Sequence, residues 1–152
     1  MVFAKTWGLM ANDPQRVPLA LQTLAGCVQL PSDLDACGVA SAADGAVLLK
    51  RTPHPAPEAS LADLVGAIKG TCAVVQLRGA SELRPKRDGV SNLGPFRLRG
   101  FAAAIASQPG NPDEANAARA ALLAQVPEFL RASVHGSTEA EAFFFAIMGR
   151  LH

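Results

Sequence analysis

Thr71 to Leu77 is a continuous β-branched and apolar run, set off by Gly70 in front of it. A strand on a protein surface alternates polar and apolar residues, and this one does not. It reads as a buried strand, so the fold must cover it on both faces. The segments around it supply candidates for that cover. Val2 to Leu9 is apolar and β-compatible. Asn12-Asp13-Pro14 breaks the chain, and Val17 to Leu30 then carries apolar residues at helical spacing (Val17, Leu21, Leu24, Val28). Cys37 to Ala42 and Ala46 to Lys50 flank Ala43-Asp44-Gly45 and predict a hairpin. Thr52 to Pro57, with three prolines, predicts an extended loop.

Ser60, Asp63 and Gly70 bound a short helix over Leu61 to Lys69. A polar loop follows the buried strand from Glu82 to Asn92. Arg97 to Phe101 alternates with period two and leads into Ala102 to Ser107, which predicts another strand. Asp113 to Gln125 is rich in alanine and leucine and reads as a helix, and Pro127 suits the first turn of a further one. Thr138-Glu139-Ala140-Glu141 matches a capping box opening a helix that carries Phe143, Phe144, Ile147 and Leu151. Strands and helices are mixed and hairpins occur, which favours an α+β layer structure over a doubly wound fold.

Bulk properties narrow the class. At 152 residues the chain is most economically one domain, 1–152, and 49% apolar against 18% charged residues fits a globular protein rather than a disordered one. A net charge of +1 gives no general reason to expect nucleic acid or an anionic membrane as partner. The first seven residues lack the basic start and apolar core of a signal peptide, and the greasy run Ala142 to Met148 is far short of the roughly 20 residues that span a bilayer. Cys27, Cys37 and Cys72 are odd in number and widely spaced, without the Cys-x-x-Cys pairs of a zinc site. The expected setting is the reducing cytoplasm. His54, His135 and His152 have no metal-ligand spacing, so neither a metal nor a cofactor is expected.

Six short motifs carry the functional reading: Met1-Val2-Phe3, Asp35-Ala36-Cys37-Gly38, Gln76-Leu77-Arg78, Asn92-Leu93-Gly94-Pro95-Phe96, Phe101-Ala102-Ala103-Ala104-Ile105 and Thr138-Glu139-Ala140-Glu141. In order and spacing they resemble the class II glutamine amidotransferases of the N-terminal-nucleophile hydrolase superfamily, in the compact bacterial form. That family has Met-Cys-Arg, an Asp-Gly-Trp-Gly-type turn, His-Val-Arg, Asn-x-His-Pro-Phe, Phe-Ala-His-Asn-Gly and Thr-Asp-Ser-Glu at these places. The resemblance implies a four-layer α-β-β-α sandwich, here partial, because family members usually continue for about another hundred residues. An incomplete sheet leaves an edge or apolar face that self-association, or docking on an amidotransferase-related subunit, would cover.

The resemblance also implies a lost reaction. In the family the second residue is a cysteine whose thiolate attacks the glutamine amide, and Val2 offers no heteroatom. An Asn amide and a Gly N–H form the oxyanion hole, where one missing donor costs about 100- to 1,000-fold in rate. Ala104 and Ile105 stand there instead. Arg78 matches the arginine that grips the substrate carboxylate. With Ser81, Asn92 and Glu139, which stands where an aspartate meets the substrate ammonium, it makes the expected ligand-binding set for a glutamine-like or γ-glutamyl compound. Each has a plain structural reading beside it. Arg78 serves equally as one half of a structural ion pair, Glu139 as a first-turn acid favouring the helix dipole, and Glu141 as the capping-box acid.

The expected function is therefore an inactive amidotransferase-like binding, regulatory or assembly domain. Two alternatives stand beside it: an active glutamine or γ-glutamyl amide hydrolase using another nucleophile such as Thr6 or Cys37, and a purely structural interaction protein. Buried, inert thiols are the default for Cys37 and Cys72. Arg84, Lys86, Arg87, Arg97 and Arg99 form the one basic concentration, with Arg97 and Arg99 on one side of their strand, best read as a solvated face. Three consecutive residues, Phe143 to Phe145, cannot all face one way on a helix, so one of them needs a second apolar surface.

Overall fold

The computed structural model describes residues 4–28, 34–53, 61–66, 68–79, 90–107 and 110–151. Four strands form one antiparallel sheet: β1 (Ala4–Met10), β2 (Leu34–Ala43), β3 (Ala46–Pro53) and β4 (Cys72–Gly79), in the order β1-β4-β2-β3. The apolar run 71–77 thus becomes an inner strand with a partner on either side: Val75 pairs with Trp7 of β1 and with Val39 of β2. β2 and β3 are joined through Asp44 and Gly45, both at positive φ (50° and 75°), the conformation that matches the right-handed twist of a two-residue hairpin.

The two faces of β4 are divided by parity. Ala73, Val75 and Leu77 pack with Cys37 and Val39 of β2 beneath Val17 and Leu21 of α1 (Arg16–Cys27) and Leu61 and Val65 of α2 (Leu61–Val65). Eight of these side chains are fully buried, so this face accounts for much of the apolar area removed from water. α1 starts where Asp13 accepts the Gln15 N–H at 2.9 Å, and Pro18 sits in the first turn, where a missing N–H does no harm.

The opposite face meets a short 3₁₀ turn (Val90–Asn92), the segment Leu93–Pro95 with a cis Gly94–Pro95 bond, and a small hairpin of β5 (Phe96–Leu98) and β6 (Phe101–Ala103). Helices α3 (Pro112–Gln125), α4 (Glu128–Arg131) and α5 (Glu139–Leu151) complete the structure around a second core of Phe96, Val126, Leu130, Phe144, Phe145 and Met148. Asn111 caps α3 by accepting the Glu114 N–H at 2.9 Å. No described helix is long and apolar enough to cross a membrane.

Four expectations are corrected. Arg97 to Ser107 is not one strand but a hairpin turning at Arg99-Gly100, with Leu98 opposite Phe101 and Phe96 opposite Ala103. A two-residue turn puts residues i and i+3 on the same face, so the alternation shifts phase there and Phe101 shares a face with Leu98. Arg99 lies in the turn at φ 51° and does not share a strand face with Arg97. The helix expected over 61–69 stops at Val65, five positions before the glycine read as its end, with Gly66 directly after it. Thr52 and Pro53 belong to edge strand β3 rather than to a loop. On α5, Phe144 and Phe145 are core residues, whereas Phe143, Ile147 and Leu151 point outward.

Gly38 is where the sheet touches the layer below it. A Cβ there would collide with the Gly94 carbonyl and lie 2.7 Å from Pro95 Cδ. Gly38→Ala is expected to cost about 2–3 kcal/mol, the overpacking range at a site whose obstacles are backbone and ring. Gly8→Ala in β1, whose new Cβ meets nothing within 4 Å, is expected to be neutral or stabilising. Urea unfolding of both variants checks the contrast.

Candidate functional site

Gln76 and Arg78 project from the same face of the inner strand β4, and both reach the segments below. Gln76 Nε2 donates to the Ile105 carbonyl at 3.0 Å, and Arg78 Nη1 to the Asn92 carbonyl at 3.2 Å. Asn92 in turn holds the approach to α5: its Oδ1 accepts the Ser137 N–H at 2.6 Å and the Ser137 hydroxyl at 3.3 Å. Between these groups lies a pocket lined by Ala36, Gln76, Arg78, Asn92, Gly94, Phe96, Ile105, Ser107 and Thr138 among others. Residues from five of the six sequence motifs therefore meet at one place, brought together by an inner strand, a 3₁₀ turn, the end of the hairpin and the start of a helix.

The pocket is small. Its volume is about 40 Å³, room for a few waters and well below the roughly 300 Å³ at which small-molecule pockets begin. Arg78 and Asn92 stand in its wall as expected. Ile105 is there too, and its carbonyl is occupied by Gln76. Ala104 is half-buried and outside the wall. Glu139 departs from the expected ligand-facing position: it is buried, and its Oε1 accepts the Ser107 hydroxyl at 2.6 Å, while its neighbours Thr138 and Ala140 line the pocket. Val2 and Ser81 lie outside the described residues, as do His54, Arg84, Lys86, Arg87 and His152. Gln76 was not among the expected site residues. Its signal was a polar side chain inside an otherwise apolar strand, since a buried amide must find a partner.

Glu141 has a different role from the one its motif suggests. A capping-box acid reaches back to the N–H of the cap residue. Glu141 instead reaches past it, with Oε1 accepting the His135 N–H at 3.1 Å and Oε2 the Gly136 N–H at 2.6 Å, while its own N–H donates to Thr138 Oγ1 at 3.3 Å. Burial pushes its carboxyl above the ordinary 4.5; the two N–H groups and the charges of His135 and Arg119 pull the other way and do not win.

The cysteines offer no alternative nucleophile beside the pocket. Cys37 points into the core beneath α1, and burial pushes its thiol up to about 12. Its thiolate fraction at neutral pH is thus vanishingly small. Cys72 is only partly buried rather than fully so, and Cys27 is exposed. Among the described residues no group of three His, Cys, Asp or Glu side chains is placed to hold a metal ion.

The Glu141 shift has a sign. Its folded-state pKa lies above the unfolded one, so its contribution to stability is most favourable at low pH and falls as pH rises through the window above 4.5. Glu141→Gln does not titrate. Wild type is therefore expected to gain stability relative to this variant as pH falls from about 7 to about 5, measured by denaturant unfolding at each pH. A constant gap, or one that moves the other way, would remove the assignment. No family model, curated protein or solved structure matches this chain.

Proposed function

We propose that this chain is a degenerate domain resembling the class II glutamine amidotransferases, with a partial α-β-β-α arrangement, acting in binding, regulation or assembly rather than in catalysis. The observation that carries the reading is the convergence of the motif residues on one pocket. Gln76, Arg78, Asn92, Phe96, Ile105 and Thr138 are separated by as many as 62 positions in sequence and line a single cavity. The layering supports it as well: α1 and α2 cover one face of the sheet, and the β5–β6 hairpin and α3–α5 lie on the side of the other.

Loss of the reaction is supported by the residue types and by the space. Amide hydrolysis needs a nucleophile and donors aimed at the developing oxyanion. Val2, Ala104 and Ile105 supply neither by side chain. The cavity is too narrow for a glutamine, and its polar groups are bonded to the protein's own backbone. As a binding domain the chain would use its exposed apolar ridge, Phe143, Ile147 and Leu151 on α5, or the free edge of β1, against a second copy or an amidotransferase-related subunit.

One observation favours a second reading, an active amide hydrolase with a non-standard nucleophile. Thr6 lies opposite Gln76 in the β1–β4 register, on the pocket side of the sheet. The two readings separate in one experiment. Incubated with an electrophilic glutamine analogue, the protein is expected to show no mass increase, and with glutamine no release of glutamate. A covalent adduct on Thr6, or glutamate release abolished by Arg78→Ala, would establish the hydrolase and overturn the inactive domain.

A further inference from the structure

A second cavity, on the far side of Phe96 and near the open edge of β3, has the opposite character. Its volume is about 340 Å³, within the range of small-molecule sites. Arg51 of β3, Arg97 of β5 and Arg99 of the hairpin turn line it, with His135, Ser91 and Glu141. Arg97 and Arg99 come from one hairpin and Arg51 from a strand more than forty positions earlier, so the fold brings the two together.

The guanidiniums are underused. Arg51 Nη1 donates to the Leu93 carbonyl at 2.8 Å and Arg97 Nη1 to the Val47 carbonyl at 2.9 Å. A guanidinium carries five N–H donors, so both keep most of their capacity. Among the described residues none of the three forms an ion pair. Burial lowers the Arg51 pKa; the Glu141 carboxylate acts against it, and Arg97 adds a smaller push in the same direction as burial. Three arginines face one carboxylate, so the lining carries an excess of positive charge.

Arg99 is held at φ 51°, in the left-handed region that favours glycine, although Gly100 is its neighbour. A two-residue hairpin turn takes a positive φ at its first position, so the turn itself accounts for this conformation.

We propose that this cavity binds a small phosphate-bearing anion, gripped by Arg97 and Arg99 from the hairpin and by Arg51 from the sheet. A phosphate monoester carries nearly two negative charges at neutral pH and three oxygens that accept from planar forks, matching both the charge and the number of arginines.

Calorimetric titration of the full chain with inorganic phosphate at low ionic strength tests this. Saturable binding is expected, preferred over the dicarboxylate succinate. Arg99→Gly and Arg97→Gln are each expected to weaken it roughly tenfold or more, the loss of a charge-assisted bond. Arg16→Gln removes a charge from the opposite face and is expected to leave binding unchanged. Glycine takes the left-handed turn without strain, so Arg99→Gly is expected to unfold no earlier than wild type, which separates lost binding from lost folding. Absence of saturable binding, equal affinity for succinate, or equal affinity in Arg99→Gly and wild type would overturn the proposal.

Discussion

The bare α-carbon of Gly38 lets the Gly94–Pro95 backbone rest directly on the sheet, and much of the lower layer follows from that contact. With the backbone seated there, Asn92 is carried under β4, where Arg78 can donate to its carbonyl. The Asn92 side chain then meets Ser137 and positions the start of α5. Gln76 crosses the same gap to Ile105 and ties the end of the hairpin to the inner strand. The width of the motif pocket is therefore set by how closely two backbones approach. A larger side chain at Gly38 would not simply narrow the cavity; it would push the layers apart.

These same bonds explain why the pocket is internally spent. A neutral hydrogen bond contributes only about 1 kcal/mol net, but a buried donor left without a partner costs about 1–3 kcal/mol. Gln76 and Asn92 are each only 7% exposed, so their amides must be satisfied by the protein itself. The start of α5 adds its own demand, since the first N–H groups of a helix have no intrahelical partner. Thr138 takes the Glu141 N–H, and the Glu141 carboxylate secures the loop at His135 and Gly136. Polar residues at positions that in a ligand site would face solvent or substrate here hold chain segments together.

The sheet strands and α1 and α3 were legible because their signals are local: apolar spacing, a β-branched run and an Asp-Gly turn. Residues 71–77 read as a buried strand and became an inner one, hydrogen-bonded to β1 on one side and β2 on the other. What escaped was whatever depended on a partner. Arg97 to Ser107 turns at Arg99-Gly100, where the alternation shifts phase, but the alanines 102–104 that follow carry no polar–apolar pattern to reveal it. The outward face of α5 was equally hidden, since Phe143, Phe144 and Phe145 are chemically equivalent until Phe96 packs against Phe144 at 6.2 Å. In the site, Arg78 and Asn92 were identified by motif and do share a wall. Glu139 was not separable by motif from a ligand-facing acid, because only the approach of Ser107 turns it inward.

Comparing the two cavities sharpens what recognition requires. A pocket binds when it offers donors or charge that the folded protein has not already used, and enough room to bring a ligand to them. The motif pocket has the familiar residue types, but its amides are committed and its volume is about 40 Å³. The arginine-lined cavity has no motif to announce it. It nevertheless has about 340 Å³ of space and three guanidiniums with no carboxylate paired to them among the described residues. Guanidiniums gathered around one opening with a single carboxylate among them offer an anion several charge-assisted donors at once. On physical grounds the stronger recognition site in this fold is the one assembled by the β3 edge and the β5–β6 turn, not the one that its sequence motifs pick out.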